Sequence, residues 1–228
     1  MIDCTPKSTK DMVFSSSESK TMIYSILEQK MPFPKNGVCG LLFYGVFGSG
    51  KTTYAEIFCK EFDFILCGET DHAQIEYVDC AKTRDLSKEM TRLDNHSKWR
   101  TISSSNQVYF IFDEVDCLTK KDQMLLKTFM NKSNIVCILT TNYIDFIDYG
   151  VRDRCYEINF NAANNSDYLP RLKQIIADNN LKPPSDKFLL DLVKESNGSW
   201  RKLANYFSFH CEQKRNLSVV ATAQKFEK

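Results

Sequence analysis

The chain has 228 residues, 43% apolar and 26% charged, with a formal net charge of +1. That length suits one α/β domain with a small appendage, and the near-neutral balance restricts any polyanion binding to a local patch. The longest apolar stretch, around Val38 to Phe47, is broken by glycine and too short for a membrane span. The N-terminus "MIDCTPKSTKDMVF" lacks the basic region and apolar core of a signal peptide. Nine scattered cysteines without a C-x-x-C pair point to reduced thiols in a cytosol-like or nuclear compartment. His72, His96 and His210 have no Cys or His partners at ligand spacing, so they are expected to be ordinary imidazoles.

In chain order, short apolar runs alternate with amphipathic segments of helix length, the pattern of a parallel sheet with crossover helices. A helix is predicted over Glu18–Gln29, a strand over Cys39–Tyr44 and a helix over Lys51–Glu61. There follow a strand over Glu76–Asp79, a helix over Arg84–Asp94 and a strand over Val108–Asp113. A helix over Lys121–Asn131, a strand over Ile135–Thr140, a brief helix near Tyr143 and a strand over Tyr156–Asn159 complete the series. "VYFIF" and "IVCIL" are apolar at every position, which suits central strands covered on both faces.

After the polar stretch "NAANNSD" only helices are expected. Leu169, Leu172, Ile175 and Ile176 repeat at helical spacing behind Ser166, read as the N-cap. Phe188, Leu189, Leu192 and Val193 mark a second helix that Asn197-Gly198 can stop. Trp200, Leu203, Ala204 and Phe207 mark a third. The expected division is therefore an α/β base over residues 1–162 and a helical lid over 166–228.

Gly45-x4-Gly50-Lys51-Thr52 sits between a predicted strand and a predicted helix, as a phosphate-binding loop requires. Glycines let backbone N–H groups turn toward phosphates, Lys51 brings a positive charge, and the Thr52 hydroxyl can ligate Mg²⁺. The candidate set for binding ATP is Gly45, Val46, Phe47, Gly48, Ser49, Gly50, Lys51, Thr52 and Thr53. "VYFIFDEVD" ends an apolar strand in Asp113 and Glu114. Asp113 suits the Mg²⁺ shell and Glu114 suits a general base on water, which favours hydrolysis over transfer to a small substrate. Asn142 ends the next strand, where a polar side chain can touch the γ-phosphate or the lytic water, although Thr-Asn is also common turn chemistry.

This series, continued through "TTNYIDFIDYGVRDRC" and "GSWRKLANYF", resembles the clamp-loader branch of the AAA+ ATPases over roughly residues 11 to 210. The likeness is to replication factor C small subunits and the equivalent phage ATPase. The resemblance implies a P-loop fold with a five-stranded parallel sheet and a helical lid. It makes Asn142 a sensor-1 residue, Arg154 an arginine finger acting on ATP in an adjacent subunit, and Arg201 the sensor-2 arginine of the lid. Its implied partners are further AAA+ subunits in a homo- or hetero-oligomer, DNA, and a sliding clamp or other replication protein, with no membrane. It also implies work in DNA replication, with a phage or viral origin compatible. The family usually has two prolines where Val46-Phe47 stand, and a serine where Asp153 stands. It also carries a helical collar after the lid, whereas about seventeen residues follow Cys211 here.

Arg84, Lys88 and Arg92, spaced by four, form a basic stripe opposite Leu86, Met90 and Leu93. The stripe can track a nucleic-acid backbone or be a normally solvated helix face. Two other functions stay open at this point. One is a helicase loader or small viral or plasmid helicase. The other is a slow, ATP-dependent interaction switch or scaffold.

Overall fold

The computed structural model describes residues 2–68, 73–98 and 105–211. His72 and the final part of the expected lid, 212–228, lie outside the described residues. Helix α1 (Ser17–Leu27) leads to β1 (Gly40–Tyr44), α2 (Lys51–Cys67), β2 (Ile75–Asp79), α3 (Leu86–Lys98) and β3 (Val108–Asp113). Next come α4 (Lys120–Phe129), β4 (Ile135–Thr141), the four-residue α5 (Tyr149–Arg152) and β5 (Cys155–Asn159). Helices α6 (Leu169–Asp178), α7 (Asp186–Ser196) and α8 (200–211) follow, without a further strand among the described residues.

The five strands form one parallel sheet in the order β2-β3-β4-β1-β5. Strands β3 and β4 are buried along nearly their whole length, as their unbroken apolar runs require. Alternate residues face opposite ways. Phe110, Phe112, Cys137 and Leu139 enter a core with α3 and α4, while Tyr109, Ile111, Val136 and Ile138 enter another with α1 and α2. The register pairs Phe112 with Leu139, so Asp113 emerges beside Thr140 on the α2 face. A third cluster joins Leu172, Ile175, Leu189, Val193, Leu203 and Phe207 from α6, α7 and α8. Each such side chain contributes about 1.5–3 kcal/mol on full burial, and this cluster holds the C-terminal helices together.

Several boundaries differ from the sequence expectations, each for a local reason. α3 begins at Leu86 and not Arg84, because the Asp85 carboxylate accepts from Lys88 N at 3.0 Å and caps the helix. Ser166 is not the cap of α6. It lies inside a 3-10 turn, Asn165–Tyr168, which Asn164 and Asp167 close as a capping box. α2 runs on to Cys67, where Gly68 ends it in the left-handed conformation. Asn197 does stop α7, at φ 49° and ψ 43°. No disulfide forms among the described residues.

Candidate nucleotide site

Strands β1 and β3 flank β4, so the loop after β1, the acidic end of β3 and the polar end of β4 meet at one edge of the sheet. A cavity of about 550 Å³ opens there. Its walls include Gly48 to Thr53 of the loop, Asp113 and Glu114, Thr140 and Asn142, and Trp200, Arg201 and Ala204 of α8. Ile2, Cys4, Thr5 and Pro6 complete it from the N-terminal segment.

Lys51 is the first residue of α2 and only 7% exposed. Its Nζ donates to Gly45 O, Val46 O and Asn142 Oδ1, each at 2.9 Å. All three ammonium donors are thus used on uncharged oxygens. Burial draws the Lys51 pKa down to about 8, against the raising effect of Asp113, Asp116 and Glu114, while the charge of Arg201 adds to the lowering.

The glycines of the loop are required by close approach. A Cβ on Gly45 (φ 138°) would lie 2.5 Å from Asn161 N and from the Phe160 carbonyl carbon. A Cβ on Gly48 (φ 72°) would lie 2.5 Å from Ser199 Oγ, just before α8. Arg201 N donates to Gly48 O at 3.0 Å, so the start of α8 is bonded directly to the loop. Phe47 is 60% exposed and its ring stands edge-on to Tyr143 with centroids 6.0 Å apart.

Thr52 Oγ1 donates to Asp113 Oδ1 at 2.8 Å, and Thr140 Oγ1 donates to the same oxygen. Tyr77 OH donates to Asp113 Oδ2 at 2.6 Å. Thr140 Oγ1 in turn accepts from Glu114 N at 3.1 Å. Glu114 adopts φ 57° and ψ 49°, a left-handed conformation that costs a non-glycine residue about 1 kcal/mol or more. That turn takes Glu114 out of the strand direction, and it lines the cavity. Asp116 Oδ1 accepts from Thr141 Oγ1 at 2.7 Å and from Asn142 N at 3.3 Å. A relay therefore runs from Asp116 through Asn142 to Lys51.

The residues present fit a phosphate ester and a hard divalent cation. The Ser49 hydroxyl is buried without a hydrogen-bond partner among the described residues, as expected of a cradle for an oxyanion. The Thr52 hydroxyl and Asp113 carboxylate form an all-oxygen donor set of the kind Mg²⁺ takes.

Arg154 does not join this constellation. It precedes β5 at the opposite end of the strands, where Nε donates to Asn131 Oδ1 at 2.9 Å and NH1 to Gly150 O at 2.7 Å. In the basic stripe, Leu86, Met90 and Leu93 are buried while Arg84, Lys88 and Arg92 are exposed. Arg92, however, is held by two carboxylates, Glu76 at 3.0 Å and Glu89 at 2.7 Å.

Sequence reasoning missed Thr140, Tyr77, Asp116 and the N-terminal wall. Thr140 and Asp116 stood inside stretches already singled out, "TTNYIDFIDYGVRDRC" and "VYFIFDEVD". Tyr77 carried no signal at all, since a tyrosine on a predicted strand reads as ordinary sheet packing.

Among known families, the one described as "ATPase family associated with various cellular activities (AAA)" matches residues 41–162. Replication factor C small subunit 2 of Pyrobaculum islandicum is 27% identical over 187 residues, 80% of this chain and 57% of that protein. The replication factor C small subunit of Haloarcula marismortui is 25% identical over 173 residues, 75% of this chain and 51% of that protein. The chain thus spans little more than half the length of these curated relatives. In fold it is similar to the RuvB Holliday junction branch migration motor of Thermotoga maritima. The TM-score is 0.70 at 16% identity, covering 96% of this chain and 67% of that one. A glycine-dependent loop before α2, a carboxylate hydrogen-bonded to its threonine and a family match over more than half the chain agree: the chain belongs to the AAA family of ATPases.

Proposed function

We propose that the protein is an AAA+ ATPase of the clamp-loader type, which couples ATP binding and hydrolysis between subunits to remodelling of a DNA-replication assembly. The observation that carries this reading is the split between Arg154 and the rest of the site. Lys51, Thr52, Asp113, Glu114, Asn142 and Arg201 line one cavity or bond to its walls, while Arg154 stands at the far end of the sheet. An arginine placed there serves a neighbour's nucleotide.

In this reading residues 1–162 are the base and 166–228 the lid, with ATP held between them. Lys51 exchanges its carbonyl partners for phosphate oxygens. Thr52 and Asp113 would hold Mg²⁺, which would neutralise charge on the phosphates. Glu114 takes the proton of the attacking water. Asn142, fixed by Asp116, orients the γ-phosphate side, and Arg201 contacts the phosphate from the lid. Arg154 of an adjacent subunit, planar and permanently charged, stabilises the transition state, a contribution of about 10³–10⁵ in rate for such fingers. Arg84 and Lys88 are the members of the stripe offered to DNA, Arg92 being held by Glu76 and Glu89.

ATP hydrolysis measured with and without primed DNA and a sliding clamp tests the proposal, with Lys51→Ala and Glu114→Gln as inactive controls. Stimulation by DNA and clamp together supports it. ATPase activity indifferent to both rejects clamp loading. Mixing Arg154→Ala with Glu114→Gln subunits distinguishes action in trans: recovered hydrolysis in the mixture is the expected result.

A further inference from the structure

The Asp113 carboxylate is held by three hydroxyls of different origin. Thr52 and Thr140 come from the phosphate loop and the adjacent strand. Tyr77 comes from β2, the edge strand of the sheet. It pairs in register with Ile111, two residues before Asp113 on the same face, and its side chain is 44% exposed. The Tyr77 OH to Asp113 Oδ2 distance of 2.6 Å falls in the short range of hydroxyl-to-carboxylate bonds with an ionised acceptor.

An ionised carboxylate offers about four lone-pair positions, and hydroxyls take three of them here. Thr52 uses its only proton on Asp113, so its remaining capacity is lone pairs, which suit a cation. Oδ1 is held by both threonines, and among the described residues Tyr77 alone bonds Oδ2. Asp79 lies opposite Asp113 in the register, but its carboxylate accepts from Lys82 Nζ at 2.6 Å and supplies no donor. Without the phenol, Oδ2 keeps no donor among the described residues and the carboxylate is held from the Oδ1 side only.

We propose that Tyr77 is a positioning residue that sets the affinity of the nucleotide site for its divalent cation, by fixing Asp113 through the phenol hydroxyl. The inference rests on the reading of the cavity as a Mg²⁺–nucleotide site. Partners that orient a metal-binding carboxylate govern metal affinity by roughly 10–100-fold. Tyr77→Phe retains the ring and deletes only the donor.

The test uses the full chain and ADP carrying a fluorescent methylanthraniloyl group, titrated with Mg²⁺ at fixed nucleotide. Tyr77→Phe is expected to raise the half-saturating Mg²⁺ concentration roughly ten-fold. Nucleotide affinity in EDTA and the cation-free thermal midpoint should match the wild type. An unchanged half-saturating concentration overturns the proposal. So does an equal loss of affinity in EDTA, which would assign Tyr77 to the nucleotide or the fold. Wild-type protein whose nucleotide binding ignores Mg²⁺ would instead overturn the underlying reading of the cavity, and this inference with it.

Discussion

Arg171 of α6 and Asp11 of the N-terminal segment, 160 residues apart, form an ion pair with NH1 2.5 Å from Oδ1 and side chains only 9% and 11% exposed. Asp11 Oδ2 also accepts from Lys7 N at 2.8 Å and Ser8 N at 3.1 Å. One carboxylate thus fastens the segment that walls the cavity to the C-terminal helices. Among the described residues the Arg171 Nε has no hydrogen-bond partner, so Asp11 carries the neutralisation of this buried guanidinium. Asp11→Ala is expected to cost about 3–5 kcal/mol, because it strands a buried charge. Asp11→Ala with Arg171→Met should recover most of that, short of about 1 kcal/mol for the lost cap. Urea unfolding of the three variants measures both.

Lys51 predicts a pH dependence. Its pKa is depressed to about 8 from the usual 10.5, so the protein without nucleotide loses this positive charge as pH rises through about 8. Phosphate prefers the charged form, so binding above that pH must take up a proton. Affinity for an ATP analogue should hold steady just below pH 8. Above it, affinity should fall by up to about ten-fold per pH unit. Lys51→Arg, whose charge does not titrate in this range, should bind with a flat profile over the same window. Fluorescence titrations from pH 7.5 to about 9.5 check the sign, and a wild-type affinity that rises with pH would refute it.

Glu114 is held in a left-handed turn beside the cavity, with Thr140 accepting from its N–H. Glu114→Gln should lower turnover by about 10²–10⁴ while leaving ATP affinity within a few-fold. Single-turnover hydrolysis beside equilibrium binding separates these. Equal loss in both would place Glu114 in nucleotide binding and not in proton transfer.

The loop and α8 are in van der Waals and hydrogen-bond contact through Gly48, Ser199 and Arg201. Gly48→Ala drives a methyl group toward Ser199 Oγ at a φ of 72°, which should cost about 1–3 kcal/mol. Pairing it with Ser199→Ala should cost less than the sum of the two single changes, by 0.5 kcal/mol or more on the scale of about 0.5–3 kcal/mol seen for contacting residues. Thermal unfolding of the four proteins completes that cycle. Strict additivity would mean that the loop moves away without engaging Ser199.

Asp116 supports Asn142 from behind. Asp116→Ala frees the Thr141 hydroxyl and the Asn142 N–H, and the Lys51–Asn142 bond loses its anchor. Turnover should fall about ten-fold or more through misplacement near the reacting phosphate, with the Mg²⁺ requirement unchanged. Steady-state rates against Mg²⁺ concentration test this.

What was legible in the sequence is what local chemistry dictates. The strands declared themselves because a run such as "VYFIF" can only be covered on both faces. The phosphate loop was legible because its glycines, lysine and threonine act through neighbouring backbone. Boundaries slipped where a side chain competed for the cap, as Asp85 and Asn164 did. Arg92 stayed open between a phosphate contact and a solvated helix face because one of its two partners, Glu76, sits on another element. Tyr77 and the N-terminal wall were invisible for the same reason: their meaning depends on residues distant in sequence.

The order of elements, the nucleotide loop and the acidic pair are therefore properties of the sequence by itself. Tertiary structure decided which of the remaining polar residues work together. Insertion of β4 between β1 and β3 sets Asn142 and Thr140 between the lysine and the carboxylate. The parallel course of β5 beside β1 leaves Arg154 at the far end of the sheet. Strand order is a matter of packing two apolar faces at once, a global condition that no local run of residues contains.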